Sequence, residues 1–167
     1  MIVYHGGKQE IKKPRILVNG FNKDFGYGFY CSEIEKQAKK WAMTKSLTHP
    51  IVSVFQVEIN GDLNIKKFDT MTDEWLEFIA RCRAGETHSF DIVEGPMADD
   101  TVWDYVNDFI AGRISKELFF EFAKFKYPTH QITFCTERAL QCLIPPHERK
   151  AAHQCLKFER SFIANDQ

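Results

Sequence analysis

The chain has 167 residues, with 22 basic and 23 acidic side chains and a formal net charge of −1. That length suits one domain with a real core, and 44% hydrophobic and 14% aromatic content exclude a disordered chain. The charge balance excludes a global electrostatic footprint for nucleic acid or membrane and leaves room only for a local basic patch.

Ile2-Val3-Tyr4-His5-Gly6-Gly7 is a β-branched and aromatic run ending in paired glycines, so a strand and then a turn. The opening MIVYHGG lacks the charged and long apolar regions of a signal peptide, and no later run is long enough to span a membrane. The expected localisation is therefore cytoplasmic. The five cysteines, none in a CxxC pair, fit a reducing compartment. Cys142, His147, His153 and Cys155 match no common zinc spacing, and no metal site is expected.

Lys8 to Pro14 reads as a loop, and Ile16-Leu17-Val18 as a short extended piece. Asp24-Phe25-Gly26-Tyr27-Gly28-Phe29-Tyr30-Cys31 alternates glycine with aromatics before entering a strand. Its glycines tolerate unusual φ and let a ligand approach the backbone. Ser32 followed by Glu35 predicts a capping box opening a helix, with Ile34, Ala38 and Trp41 on one face. Pro50 stops that helix. Ile51 to Ile59 is the clearest strand and should be largely buried. Asn60-Gly61-Asp62 predicts a hairpin turn, with Leu63 to Phe68 returning as the partner strand.

Thr72 should cap a helix through Arg81, and Phe90 to Gly95 should be a strand broken at Pro96. Asp99 or Asp100 should cap a helix presenting Val102, Tyr105, Val106, Phe109 and Ile110, ended by Gly112. Ser115 should cap a short apolar helix from Leu118 to Phe125. Gln131 to Cys135 reads as the last strand, Thr136 to Leu143 as a helix with Arg138 outward, and His147 to Phe162 as a charged amphipathic tail after Pro145-Pro146. The mixed order, with no βαβ alternation and no dividing linker, predicts one α+β domain over residues 1–167, its tail being 144–167.

Three polar side chains stand at strand margins: His5, Tyr30 and Gln131. YHGG, DFGYGFYCS with QAKKWA behind it, and HQITFCT, in that order, resemble the three-motif signature of the ADP-ribosyltransferase superfamily. The resemblance is to its diphtheria-toxin-like branch, which includes the poly-ADP-ribose polymerases and RNA 2′-phosphotransferases. DIVEGPMADD and FCTERAL are similar to further blocks of a group of small uncharacterised bacterial proteins in this superfamily. Those proteins are sometimes found beside small partner proteins in toxin–antitoxin-like arrangements. The resemblance covers most of residues 1–143.

What the resemblance implies is a split, strongly bent antiparallel β-sheet with flanking helices and a transferase that uses NAD as substrate. It implies His5, Tyr30 and Gln131 as the catalytic set, and His5, Gly6, Gly28, Tyr30 and Trp41 as the NAD-binding set. His5 would meet a ribose hydroxyl, the Gly6 backbone the carboxamide, and Tyr30 and Trp41 the two faces of the nicotinamide ring. Better-known relatives carry Glu where this chain has Gln131. Gln keeps a hydrogen bond to the ribose 2′-hydroxyl but cannot be a base, which fits transfer of a single ADP-ribose. Asp24, Asp99 and Glu137 are the candidate bases near the motifs, and a glutamate at position 131 is expected to hold or raise NAD cleavage. The implied acceptor is a macromolecule, nucleic acid or protein. The implied role is a toxin or phage-defence effector held by a small antitoxin, with no membrane partner. The alternatives are an inactive NAD or ADP-ribose binder, suggested by Gln131, and a protein-interaction module built on the 15 phenylalanines.

Overall fold

The computed structural model describes residues 1–18, 23–98, 100–123 and 128–146, with the side chains of 100 and 101 left aside. Twelve elements follow one another there: β1 (Ile2–Gly7), β2 (Phe29–Cys31), α1 (Glu35–Lys45), β3 (Ile51–Val57), β4 (Ile65–Lys67), α2 (Asp73–Arg83), β5 (Ile92–Gly95), α3 (Asp100–Ile110), α4 (Lys116–Ala123), β6 (Gln131–Phe134), α5 (Glu137–Leu140) and β7 (Leu143–Ile144). The fold is α+β, as expected. The strands form two sheets, one ordered β1-β3-β7 and antiparallel, the other β2-β6-β5-β4 and mixed because β4 runs parallel to β5. Among the described residues a bridge between Tyr4 and Ser32 joins the sheets.

Burial follows the period-two alternation of strand side chains. Val3, Phe55 and Val57 from the first sheet meet Phe29, Cys31, Ile132, Phe134 and Ile92 from the second. The opposite face of the second sheet offers Val93, and with Phe25 and Phe68 it packs on Trp75, Leu76 and Ile79 of α2, Val102 and Val106 of α3 and Phe119 of α4. β6 is buried on both faces, at all four residues. Helix α1 covers the first sheet from outside. A Cβ on Gly6 would overlap the Ala38 carbonyl and stand 2.7 Å from the Ala42 nitrogen and 3.0 Å from Trp41 Cβ. Only glycine lets α1 lie this close to β1.

Local signals held at several ends. Thr72 Oγ1 accepts from the Trp75 amide, Ser115 Oγ from Leu118, and Thr136 Oγ1 from Ala139. Gly112 closes α3 at φ 68°. Val102 and Val106 are buried on the predicted face of α3, but Ile110 is 43% exposed.

Other expectations need correction. Ser32 does not cap α1. Its backbone pairs with Tyr4 in both directions, which keeps it extended, and its hydroxyl accepts from the Ile34 amide, so the helix begins at Glu35. Leu63 to Phe68 is no hairpin partner of β3. The chain turns at Gly61 but passes to the second sheet, where the Asn64 amide donates to Asp91 Oδ2 and β4 aligns beside β5. The edge of β3 is taken by β7, a two-residue strand that begins at Leu143, the last residue of the expected helix. β3 itself buries one face only. The Asp99 and Asp100 caps, the end of the α4 segment, the zinc set beyond Cys142 and the C-terminal tail lie outside the described residues and side chains.

Candidate active site

The site grows from the junction of the two sheets. Antiparallel pairing with β3 and the Tyr4–Ser32 bridge on the other side fix which edge each β1 residue presents. Tyr4 exchanges both backbone bonds with Ser32. Gly6, two residues on, therefore directs its N–H and C=O to the same edge. Among the described residues nothing pairs with them there.

His5 stands between. Its Nδ1 donates to the Tyr30 carbonyl at 2.7 Å, and its ring stacks on Phe29 at 4.4 Å. Burial lowers its pKa, the Tyr30 carbonyl opposes that shift, and the charges of Lys23 and Lys45 add to it. The ring is therefore neutral at physiological pH. With Nδ1 carrying the proton, Nε2 is the free acceptor.

Tyr30 pairs opposite Thr133, and Gln131 lies two residues from Thr133, so Tyr30 and Gln131 share one face of the second sheet. The Tyr30 hydroxyl donates to the Gly26 carbonyl at 2.7 Å and accepts from the Phe25 amide at 3.1 Å. Gly26 takes φ 70° to make that possible. Burial and the Asp24 charge push the phenol well above its ordinary range, so it stays neutral. Lys23 Nζ lies 4.7 Å from the ring centroid and covers one face.

Gln131 is 3% exposed. Its Nε2 donates to Asp24 Oδ2 at 3.0 Å and approaches the Pro96 carbonyl at 3.4 Å, while its oxygen has no partner among the described residues. Asp24 is also buried. It accepts from the Ala98 amide at 2.9 Å and from Arg83 through Nε, at 2.9 Å, and Nη2. The Arg83 guanidinium stacks 3.8 Å from the Trp103 ring, and its Nη1 is buried without a partner. Sequence reasoning missed this charged cluster. An acidic residue and an arginine 59 positions apart give no local signal. Asp24, fully engaged here, is not a free base, Glu137 is exposed at the start of α5, and Asp99 is outside the described residues.

Gly28 has its own packing reason. A Cβ there would overlap the Thr133 methyl and stand 2.8 Å from the Phe134 carbonyl. Trp41 lines a groove of about 720 Å³ between α1 and the Met97–Ala98 and Pro128–Thr129 segments, and Tyr30 does not line it. The structure thus brings His5 to Tyr30 by a hydrogen bond and Tyr30 to Gln131 on one sheet face. Trp41 stays on the groove side of α1.

Metal and thiol chemistry find less support. Glu33, Glu94 and His130 offer ligand atoms within 4.8 Å of one another. His130 Nδ1 accepts from the Glu33 amide, which leaves the proton on Nε2, and Lys67 Nζ sits 2.9 Å from Glu94. His130 and Lys67 hold the Glu94 carboxyl down at about 2. That network is complete without an ion. Burial pushes the Cys82 and Cys135 thiols up to about 12, far from a nucleophile's range. No helix among the described residues is long and apolar enough to cross a membrane.

No curated protein and no solved structure matches the chain. A family model described as a protein of unknown function (DUF3990) matches residues 1–144, and the chain belongs to that family.

Proposed function

We propose that the chain transfers ADP-ribose from NAD to a macromolecular acceptor. One observation carries the reading: neutral His5, bonded to the Tyr30 carbonyl, sits at the junction where the backbone groups of buried Gly6 have no partner among the described residues, and Gln131 shares the sheet face of Tyr30. In this reading His5 Nε2 accepts from a ribose hydroxyl, and the Gly6 N–H and C=O meet the carboxamide. The Gln131 oxygen accepts from the 2′-hydroxyl. Tyr30 and Trp41 each offer a flat surface, Trp41 from a groove that Tyr30 does not line, and the nicotinamide stacks on one of them. The Lys23 ammonium on the Tyr30 ring already shows that a cation suits that face, and the nicotinamide ring of NAD is cationic.

The chemistry asks little of an acid. The leaving group carries positive charge before the bond breaks, so orientation supplies much of the rate. Among the described residues no titratable base adjoins Gln131 in a free state, since Asp24 is engaged by Arg83. Transfer then relies on the acceptor's own nucleophilicity, which suits addition of a single ADP-ribose. A toxin or defence role, restrained by a small partner protein, belongs to the same reading.

Incubation with NAD and an assay for free nicotinamide test it, with and without cell extract. Release by the wild type, falling on the order of 10- to 100-fold in Gln131→Ala, supports the transferase. Saturable NAD binding without release under any condition would favour an inactive binder, the alternative that Gln131 itself suggests. Neither binding nor release would leave an interaction module.

A further inference from the structure

The balanced net charge hides a division along the chain. Residues 1–45 hold nine lysines and arginines against four acidic residues. All nine basic side chains are exposed. Of the four acids, Asp24 is buried against Arg83 and Glu35 is paired with Lys39 at 2.6 Å. Four of the nine, Lys36, Lys39, Lys40 and Lys45, belong to α1, and the other five stand in the connections before β2.

Three of the nine stand where a groove runs. Lys36, Lys39 and Lys40 rim it, and Ile34, Trp41, Met97 and Pro128 supply an apolar and aromatic lining. Among the described residues Lys36 and Lys40 have no carboxylate partner. Ala98, at the inner end, bonds through its amide to Asp24, which holds Gln131. Lys45, at the end of α1, and Lys23 both act on His5. Cations thus stand both on the groove face of α1 and near His5.

We infer that this face of α1 docks a single-stranded nucleic acid and presents it as the acceptor, an inference that rests on the ADP-ribosyltransferase reading. Cations along a groove track a phosphate backbone, and an aromatic lining stacks unpaired bases. In the transfer, the bond from ribose C1′ to the nicotinamide nitrogen breaks, and its electron pair leaves with neutral nicotinamide. A lone pair on a nitrogen or oxygen of the nucleic acid forms the new bond to C1′, and the proton it carried goes to solvent.

Fluorescence anisotropy with labelled DNA and RNA strands of about 20 nucleotides tests the docking without NAD, with the DNA duplex and labelled polyglutamate as comparisons. Wild type should bind at least one single strand more tightly than duplex or polyglutamate, and affinity should fall steeply between about 50 and 200 mM salt. Lys36→Glu with Lys40→Glu should weaken binding on the order of tenfold or more and flatten the salt dependence. Equal affinity for polyglutamate would overturn the inference in favour of an acidic protein. Unchanged binding by the double variant would overturn it as well. Nicotinamide release and the strand's mass are read in the same samples with NAD added. A strand that binds through these lysines while NAD is never cleaved leaves the docking surface standing and removes the transferase. Cleavage of NAD with no strand bound does the reverse.

Discussion

Gln131 Nε2 donates to Asp24 Oδ2 at 3.0 Å, and this contact decides which end of the amide faces outward. A carboxylate can only accept, so it must meet the NH₂ group, and the amide oxygen is left free. The same contact favours glutamine over glutamate at this position. A glutamate here would set a second carboxylate against Asp24.

That changes the outcome expected for Gln131→Glu. Two carboxylates in one buried site raise one pKa strongly. The introduced carboxyl would have a folded-state pKa above its unfolded value, so its penalty is absent in acid and grows as pH rises from about 4.3. The Tm deficit of Gln131→Glu should therefore widen from pH 4 to pH 8, and nicotinamide release should fall rather than rise. Asp24→Asn alone should cost about 3 kcal/mol or more, because it strips Arg83 of its counter-charge. Combining the two restores one negative charge and an amide–carboxylate contact, and a coupling of about 1–3 kcal/mol should appear in thermal melts. Recovery will be partial, since the Ala98 amide would then face an NH₂ group. Strict additivity would show that the contact does not set the residue at 131.

His5 predicts a specific acid limb. Its pKa is lowered in the fold, so the unfolded chain binds the proton more readily. Stability is then present above the unfolded value near 6.5 and is lost progressively as pH falls through that value toward the folded one. Tm measured from pH 8 down to pH 5 should decline below about 6.5, and His5→Asn should decline less. A pH response identical in the two proteins would remove His5 as its source.

Asp91 holds the second sheet to the segment after it. Its carboxylate accepts from the Asn64 amide at 2.8 Å, Thr136 Oγ1 at 2.6 Å and Arg138 Nε at 2.7 Å, with Arg138 Nη2 on the other oxygen. Arg138 above all holds the carboxyl well below the usual range. Asp91→Ala leaves several donors unpaired around a buried position and should cost about 2–4 kcal/mol in denaturant unfolding. A loss under about 0.5 kcal/mol, the range of an ordinary surface change, would contradict this account.

What the sequence disclosed tracks the range of each interaction. Thr72 and Ser115 act within four residues, and both caps were readable. Ser32 carried the same local signal, but pairing with Tyr4, 28 positions away, overrode it. β7 is too short to announce itself, and β4, though readable as a strand, pairs with β5 instead of β3. His5, Tyr30 and Gln131 could be singled out because strand ends and glycines are local features. The Asp24–Arg83–Gln131 cluster could not, since its contacts span 59 and 107 positions.

Gly6→Ala tests whether α1 is held by the missing side chain. The new methyl group would meet backbone atoms of Ala38 and Ala42, which have no rotamer to yield. Overpacking of this kind costs about 1–3 kcal/mol or more. The expected result is a lowered Tm, with α1 displaced from β1. An unchanged Tm would mean that the helix shifts at no cost.

Trp41 separates binding from stability. It belongs to neither buried cluster, and it lines the groove beside Gly6 and the α1 lysines. Removing its ring should therefore disturb the fold little. In the proposed function the ring gives the nicotinamide a flat surface, and Trp41→Ala should weaken NAD binding by about 1–3 kcal/mol, from lost stacking and lost burial. Trp41→Phe should keep much of the affinity, since a flat face remains. Calorimetric titration with NAD and a thermal melt on the same samples read both quantities. Weaker binding at an unchanged Tm places the ring against the ligand. Unchanged binding would confine Trp41 to the groove wall and leave Tyr30 as the nicotinamide's flat surface.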